Sequence, residues 1–223
     1  ALKSTAAIIK ILQQNNIKSG LIVDLGCGSG LSAREFIKAN YQVLGIDISR
    51  SMIEIAKQRV PEVEFKVESL FKAEIPPCNA VTSIGECLNY LFDEENNSQT
   101  LTNLFDRIYK ALLPGGLFIF DILEPFTTEK TQGFREGEDW IILYEKEEDR
   151  EQKTLTRRII TLRQEGNYYK RYEEIHYVRL YESSELVEKL HQLCFNVQTM
   201  SNYGEFQLSK GHGVFIASKK HGY

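Results

Sequence analysis

Apolar residues in the first half of the chain fall in short runs, separated by stretches with helical spacing. Residues 21–24 are an apolar run ending in Asp24, and residues 41–47 (YQVLGID) end likewise in Asp47. Residues 62–67 (EVEFKV) alternate, residues 80–84 (AVTSI) form a fourth run and residues 117–122 (LFIFDI) a fifth. Runs of this length bounded by turn signals read as strands. Between them lie helical patterns over residues 32–39, from Ser49 or Ser51 to the stop at Pro61, and over residues 98–112. Pro114, Gly115 and Gly116 predict a turn before the fifth strand. Repeated strand–helix units imply a parallel sheet with crossover helices. Residues 1–16 predict an amphipathic helix ahead of the first strand.

The rhythm changes after residue 125. From Gly133 to Tyr181 strand-like alternation runs on without helical spacers, with Gly166-Asn167 as a hairpin turn. This predicts an antiparallel β insertion over residues 126–181, set into a main domain of residues 1–125 and 182–223. Alternation puts Tyr168, Tyr172 and His176 on one face of a strand, and Tyr169, Ile175 and Tyr177 on the other. That aromatic insertion reads either as a pocket lining or as a small core of its own, with both faces covered. Residues 182–193 predict a helix capped by Ser183 or Ser184, with Glu185 in its first turn. Residues 195–203 and 213–219 predict two closing strands.

Composition narrows the class. A chain of 223 residues suits one domain with an elaboration, and a formal net charge of −4 argues against a broadly basic nucleic-acid footprint. No apolar run approaches the roughly 20 residues of a membrane span, and the first residues resemble no signal peptide. The cysteines Cys27, Cys78, Cys87 and Cys194 form no C-x-x-C pair and accompany no histidine cluster, so free thiols in a cytoplasmic protein without a bound metal are expected.

The chemistry concentrates in Asp24-Leu25-Gly26-Cys27-Gly28-Ser29-Gly30. A strand, a glycine turn and a helix together hold a nucleotide at the carboxyl end of a parallel sheet. A dinucleotide fingerprint would put its third glycine at position 31, where this chain has Leu31. Asp47 ends the second strand, where a carboxylate reaches ribose hydroxyls; the alternative is an acid serving the N-terminus of the next helix. Ile48 and Met52 would flank the apolar side of the nucleoside.

The string from Asp24 to Gly30, with Asp47 and the Leu113-Pro114-Gly115-Gly116 turn, resembles the class I S-adenosylmethionine-dependent methyltransferases of small-molecule type. The resemblance covers about residues 20–123. It implies a Rossmann-like α/β fold, with a mostly parallel seven-stranded sheet whose last strand runs antiparallel and an insertion over the cofactor. It implies S-adenosylmethionine held by Asp24, Gly26, Cys27, Gly28, Gly30, Asp47, Ile48, Met52 and Gly85. It also implies an adenine-binding turn at Glu68, Ser69 and Leu70, although Glu68 reads equally as a solvated carboxylate. The loop after the fourth strand, GECLNY, is where methyl and acceptor would meet. It lacks the Asn/Asp-Pro-Pro-Tyr/Phe motif of base methylases, which favours a small-molecule acceptor over a nucleic-acid base. No nucleic-acid or membrane partner is expected, and the state expected is a monomer or homodimer.

Methyl transfer from a sulfonium is an in-line displacement, so alignment and exclusion of water carry it, and a base serves only a protonated acceptor. Glu86 and His176 are the candidate catalytic residues. Glu86 reads alternatively as a site for a cationic acceptor, and His176 as a structural histidine. Arg135, Arg157, Arg158, Arg171 and Arg179 are open either to an anionic acceptor or to nearby glutamates. A nicotinamide-dependent oxidoreductase and a non-catalytic S-adenosylmethionine-binding protein are the competing readings.

Overall fold

A computed structural model describes residues 2–125, 130–204, 206–209 and 211–220. In chain order its elements are α1 (Leu2–Gln14), β1 (Gly20–Leu25), α2 (Leu31–Lys38), β2 (Tyr41–Asp47), α3 (Arg50–Arg59), β3 (Glu64–Val67), β4 (Cys78–Ser83), α4 (Ser98–Ala111) and β5 (Leu112–Leu123). Then come β6 (Thr131–Glu136), β7 (Trp140–Asp149), β8 (Thr154–Glu165), β9 (Tyr168–Arg179), α5 (Ser183–Gln192), β10 (Asn196–Met200), β11 (Asn202–Tyr203), β12 (Phe206–Gln207) and β13 (His212–Ser218).

Among the described residues a seven-stranded sheet runs in the order β10-β13-β5-β4-β1-β2-β3. The pairs β1–β2, β1–β4, β2–β3 and β4–β5 are parallel, and β13 lies antiparallel between β5 and β10. This is the Rossmann-like α/β fold. Neighbouring β1 residues serve opposite layers. Ile22 packs with Ile8, Leu12, Phe36 and Ile53 from α1, α2 and α3, whereas Val23 and Leu25 pack with Leu104, Phe105, Leu186 and Leu190 from α4 and α5.

The helix signals act locally as expected, with one exception. The Ser49 hydroxyl accepts from the Met52 N–H as read from sequence; Asn97, a cap the sequence reading did not name, closes a capping box with Thr100. The cap of α5 is Glu182, not Ser183 or Ser184, and its side chain makes no capping bond. The Pro114-Gly115-Gly116 turn is absorbed into β5 as an irregularity. The β4 register jumps there from Cys78↔Leu112 to Ala80↔Leu117, and Gly115 takes a φ of 78°.

A separate four-stranded antiparallel sheet runs β6-β7-β8-β9. The division of the chain expected from sequence assigns residues 1, 126–129, 205, 210 and 221–223, which lie outside the described residues. Within the chain the aromatic strand is uncovered: Tyr168, Tyr169, Tyr172, Ile175 and Tyr177 are all exposed. Only the base of the sheet is buried, where Leu155 and Val178 pack with Leu123, Leu180 and Tyr90. That base is stitched to the loop after β4. Leu91 N–H donates to the Tyr177 carbonyl at 2.9 Å and Arg179 N–H to the Asn89 carbonyl at 2.7 Å.

Candidate functional site

The carboxyl ends of β1, β2 and β4 open on one crevice, beside the point where the strand order reverses between β1 and β4. Gly26, Gly28 and Gly30 turn the chain there with φ of 76°, 51° and 75°, a region that side chains with a Cβ avoid. The turn is anchored to β2: Gly26 and Cys27 N–H both donate to the Ile46 carbonyl, at 2.7 and 3.1 Å. The Arg59 guanidinium holds the Ser29 carbonyl from α3. The three glycines differ in purpose. A Cβ on Gly26 would overlap the Cys87 sulfur, and one on Gly30 would press on Ala56 at 3.1 Å and Phe65 at 3.3 Å. A Cβ on Gly28 would meet nothing within 4 Å. Gly26 and Gly30 are therefore packing glycines, and Gly28 leaves room for a ligand.

Two cavities meet at Gly26, Gly28 and Met52. The first, of about 410 Å³, is lined by Asp24, Gly85, Glu86, Asp121 and His212 among others. The second, of about 320 Å³, is lined by Asp47, Ile48, Leu70, Phe92, Asp93 and His176 among others. Volumes of this order suit small ligands.

Asp47 combines both roles read from sequence. Its Oδ2 accepts from Gly28 N–H and its Oδ1 from Ser49 N–H, each at 2.8 Å. Each oxygen keeps a further lone pair for a hydroxyl donor. Asp24 is buried and accepts from the Thr82 hydroxyl at 2.7 Å. Burial raises its carboxyl, Thr82 offsets part of this, and the nearby Asp47 charge adds to it, giving about 6. Cys27 also lines the first cavity, but its sulfur lies where a Cβ on Gly45 would meet it, and burial pushes its thiol far up. Its thiol is therefore no nucleophile at neutral pH.

Several expected site residues sit elsewhere. Gly30, Glu68 and Ser69 do not line either cavity. Ser69 instead donates to Asp93 at 2.6 Å, and Asp93 is the carboxylate beside Leu70 in the second cavity. A carboxylate from the loop after β4 thus stands beside Leu70 from the turn after β3. Asp93 lies in the ambiguous stretch FDEENN, where no spacing singled it out. Asp121 and His212, on β5 and β13, were missed for the same reason.

Glu86 and His176 face different cavities. His176 Nε2 lies 3.1 Å from Glu174, and its ring meets Tyr90 edge-on. Glu86 is held between two partners, His212 at 2.6 Å and Arg157 at 2.9 Å. Burial pushes its carboxyl up, but the His212 hydrogen bond and the Arg157 charge outweigh that and lower it to about 2. A carboxylate so stabilised is a weak base at neutral pH. Arg157 is thus paired with Glu86, and Arg158 and Arg171 with Glu173. Among the described residues there is no cluster of three metal-ligating side chains, and no helix long and apolar enough to cross a membrane.

The comparisons agree with this geometry. Residues 22–116 match the family described as a methyltransferase domain. A putative methyltransferase of Geobacillus sp. is 32% identical over 118 residues, covering 51% of this chain and 46% of that protein. The chain spans about half the length of the curated relatives it matches. They include proteins named as a ubiquinone biosynthesis O-methyltransferase of Alkalilimnicola ehrlichii and an mRNA cap guanine-N(7) methyltransferase of Schizosaccharomyces pombe. Among solved structures, an S-adenosylmethionine-dependent methyltransferase from Clostridium acetobutylicum superposes with a TM-score of 0.84 at 18% identity, covering 98% of this chain and 91% of that one. The S-adenosylmethionine-bound amino pentose methyltransferase CalS10 from Micromonospora echinaspora gives 0.81 at 14% identity, covering 98% and 91%. Residues 22–116 thus match a methyltransferase domain, and the whole chain shares the fold of the solved S-adenosylmethionine-dependent methyltransferases on which it superposes.

Proposed function

We propose that the chain binds S-adenosylmethionine across the two cavities and transfers its methyl group to a small-molecule acceptor. The observation that carries this reading is the join of the cavities at Gly28, where an absent Cβ leaves a cradle between Asp47 on one side and Asp24 and Asp121 on the other. The residues fit the cofactor's chemistry. Asp47 offers a carboxylate to ribose hydroxyls. Ile48, Met52 and Leu70 offer apolar walls to a purine, and Asp93 an acceptor for its amino group. The carboxylates of the first cavity suit a ligand end that carries positive charge.

When bound, S-adenosylmethionine supplies a methyl group activated by a positively charged sulfur. The chain's own contribution is alignment. Asp47 and the glycine turn fix the nucleoside end, and the Gly85–Glu86 turn, pinned on Asp121, forms the floor of the acceptor side. Such fixed geometry and a crevice closed to bulk water are what an in-line displacement requires. A small acceptor is favoured by the net charge of −4, which opposes a nucleic acid.

Calorimetry with S-adenosylhomocysteine tests the reading. Binding is expected in the wild type and at least tenfold weaker in Asp47→Ala, since two charge-assisted hydrogen bonds are worth about 1.5–3 kcal/mol each. No binding, or equal binding by both proteins, would sink it. Methyl transfer in an assay against a panel of amines, phenols and carboxylates would then identify the acceptor.

A further inference from the structure

The loop after β4 is held from several directions. Gly85 and Glu86 both have left-handed backbone, with φ of 92° and 61°. Glutamate adopts that conformation only where its surroundings impose it. From below, Gly85 and Glu86 N–H both donate to Oδ1 of Asp121, at 2.8 and 2.6 Å. From the four-stranded sheet, Arg157 on β8 donates to Glu86 Oε2 at 2.9 Å and to the Tyr90 hydroxyl at 3.2 Å. From the start of β13, His212 Nε2 lies 2.6 Å from Glu86 Oε1. The side chains of Glu86, Arg157 and His212 are 13–14% exposed.

The other ring nitrogen of His212, Nδ1, lies 2.8 Å from the Ser209 carbonyl. A carbonyl oxygen only accepts, and so does an ionised carboxylate. Both ring nitrogens therefore carry a proton, and His212 is an imidazolium. Its charge faces Glu86 and Asp121, whose Oδ2 is occupied by the Tyr203 hydroxyl at 2.7 Å. Glu86 faces Arg157 from β8, Tyr90 from its own loop and, at longer range, Lys146 from β7. One carboxylate thus joins two cations from two different parts of the chain.

We propose that Glu86, Arg157 and His212 are positioning residues, a charged clasp that ties the four-stranded sheet and the last strand to the β4 loop at the rim of the crevice, with His212 held as its imidazolium. The proposal rests on the crevice being the site of transfer, and it gives Glu86 a structural charge in place of a proton-accepting role. Raising the pH removes the Nε2 proton and turns a lone pair toward Oε1, so the clasp opens as His212 titrates.

Ring ¹⁵N spectra of the wild type at pH 7 are the first test: both His212 nitrogens should be protonated, and a neutral tautomer overturns the proposal. Amide exchange over residues 154–165 and 168–179 is the second. Protection near Arg157 and His176 should fall at least tenfold in the wild type as pH rises through the His212 titration, with no such step in His212→Asn. Protection independent of that titration overturns the clasp. Glu86→Gln should lower protection in the same segments already at pH 7 and leave β1 to β3 unchanged. Should that variant fail to fold, the two wild-type measurements still decide. S-adenosylhomocysteine calorimetry separates the two readings: a wild type that binds none removes the transfer site, whereas a neutral His212 removes the clasp and leaves cofactor binding intact.

Discussion

Gly26 and Gly28 share a left-handed backbone and differ in what surrounds the missing side chain. Alanine at either position takes on about 1–2 kcal/mol of backbone strain. At Gly26 the new Cβ also overlaps the Cys87 sulfur, and overpacking of that kind adds about 1–3 kcal/mol. At Gly28 the new methyl meets no protein atom within 4 Å and stands in the cradle. Gly28→Ala should therefore lose only that backbone strain, about 1–2 kcal/mol in urea unfolding, yet lose S-adenosylhomocysteine affinity tenfold or more, while Gly26→Ala should lose about 2–5 kcal/mol. Equal loss of stability in both variants would show that Gly28 also serves packing. The glycine spacing was legible in the sequence because positive φ excludes other residues. The difference in purpose was not, because it depends on Cys87, Ala56 and Phe65, which arrive from the β4 loop, α3 and β3.

At the scale of elements, the parallel half was readable because each strand is a short apolar run and each helix has its own start and stop signals. Ser49, Asn97 and Pro61 act within a few residues of where they stand. The boundaries that moved are those set by tertiary pairing. The Pro114-Gly115-Gly116 turn is pulled into β5 by β4 and by the Lys219 carbonyl, which accepts from Gly115 N–H at 3.0 Å. The carboxylate beside Leu70 comes from a loop whose path is fixed by distant contacts. Asn89 is the clearest such contact. Fully buried, it donates to the Leu123 carbonyl at 2.9 Å and the Arg179 carbonyl at 2.6 Å, and it accepts from Leu123 N–H at 3.2 Å. One amide thus locks the β4 loop to β5 and β9. Asn89→Ala takes this partner from the Leu123 N–H and the Arg179 carbonyl, whereas the Leu123 carbonyl keeps the Tyr181 N–H at 3.2 Å; each group left buried and unpaired costs about 1–3 kcal/mol. A fall in Tm of roughly 6–12 °C is expected from a total near 3 kcal/mol in a chain of this length, with amide protection lost first at the end of β9. A Tm within a degree or two of the wild type would mean that water replaces the amide without cost.

The whole molecule carries opposed carboxylates, and their opposition shapes its response to pH. Asp24 titrates near 6 in the folded chain against 3.8 as its ordinary value, because burial disfavours its charge. The folded state binds that proton more tightly, so stability rises as pH falls through about 6, until the unfolded chain also takes up the proton. Burial raises Asp121 as well, which adds in the same direction. Glu86 runs the other way. Lowered from 4.5 to about 2 by His212 and Arg157 against its burial, it contributes stability above pH 4.5 that is lost as pH falls toward 2. Asp24 and Glu86 are each worth on the order of 3 kcal/mol by the linkage between proton affinity and folding. Their pH windows differ, so they do not cancel. Urea unfolding should show a midpoint that climbs from pH 7 to about pH 5 and then drops below pH 4.5. Asp24→Asn should flatten the climb and leave the drop, and Glu86→Gln should soften the drop and leave the climb. A wild-type midpoint that falls steadily from pH 7 downward would show that Asp24 stays ionised in the folded chain. The first cavity would then keep its full negative charge throughout the physiological range.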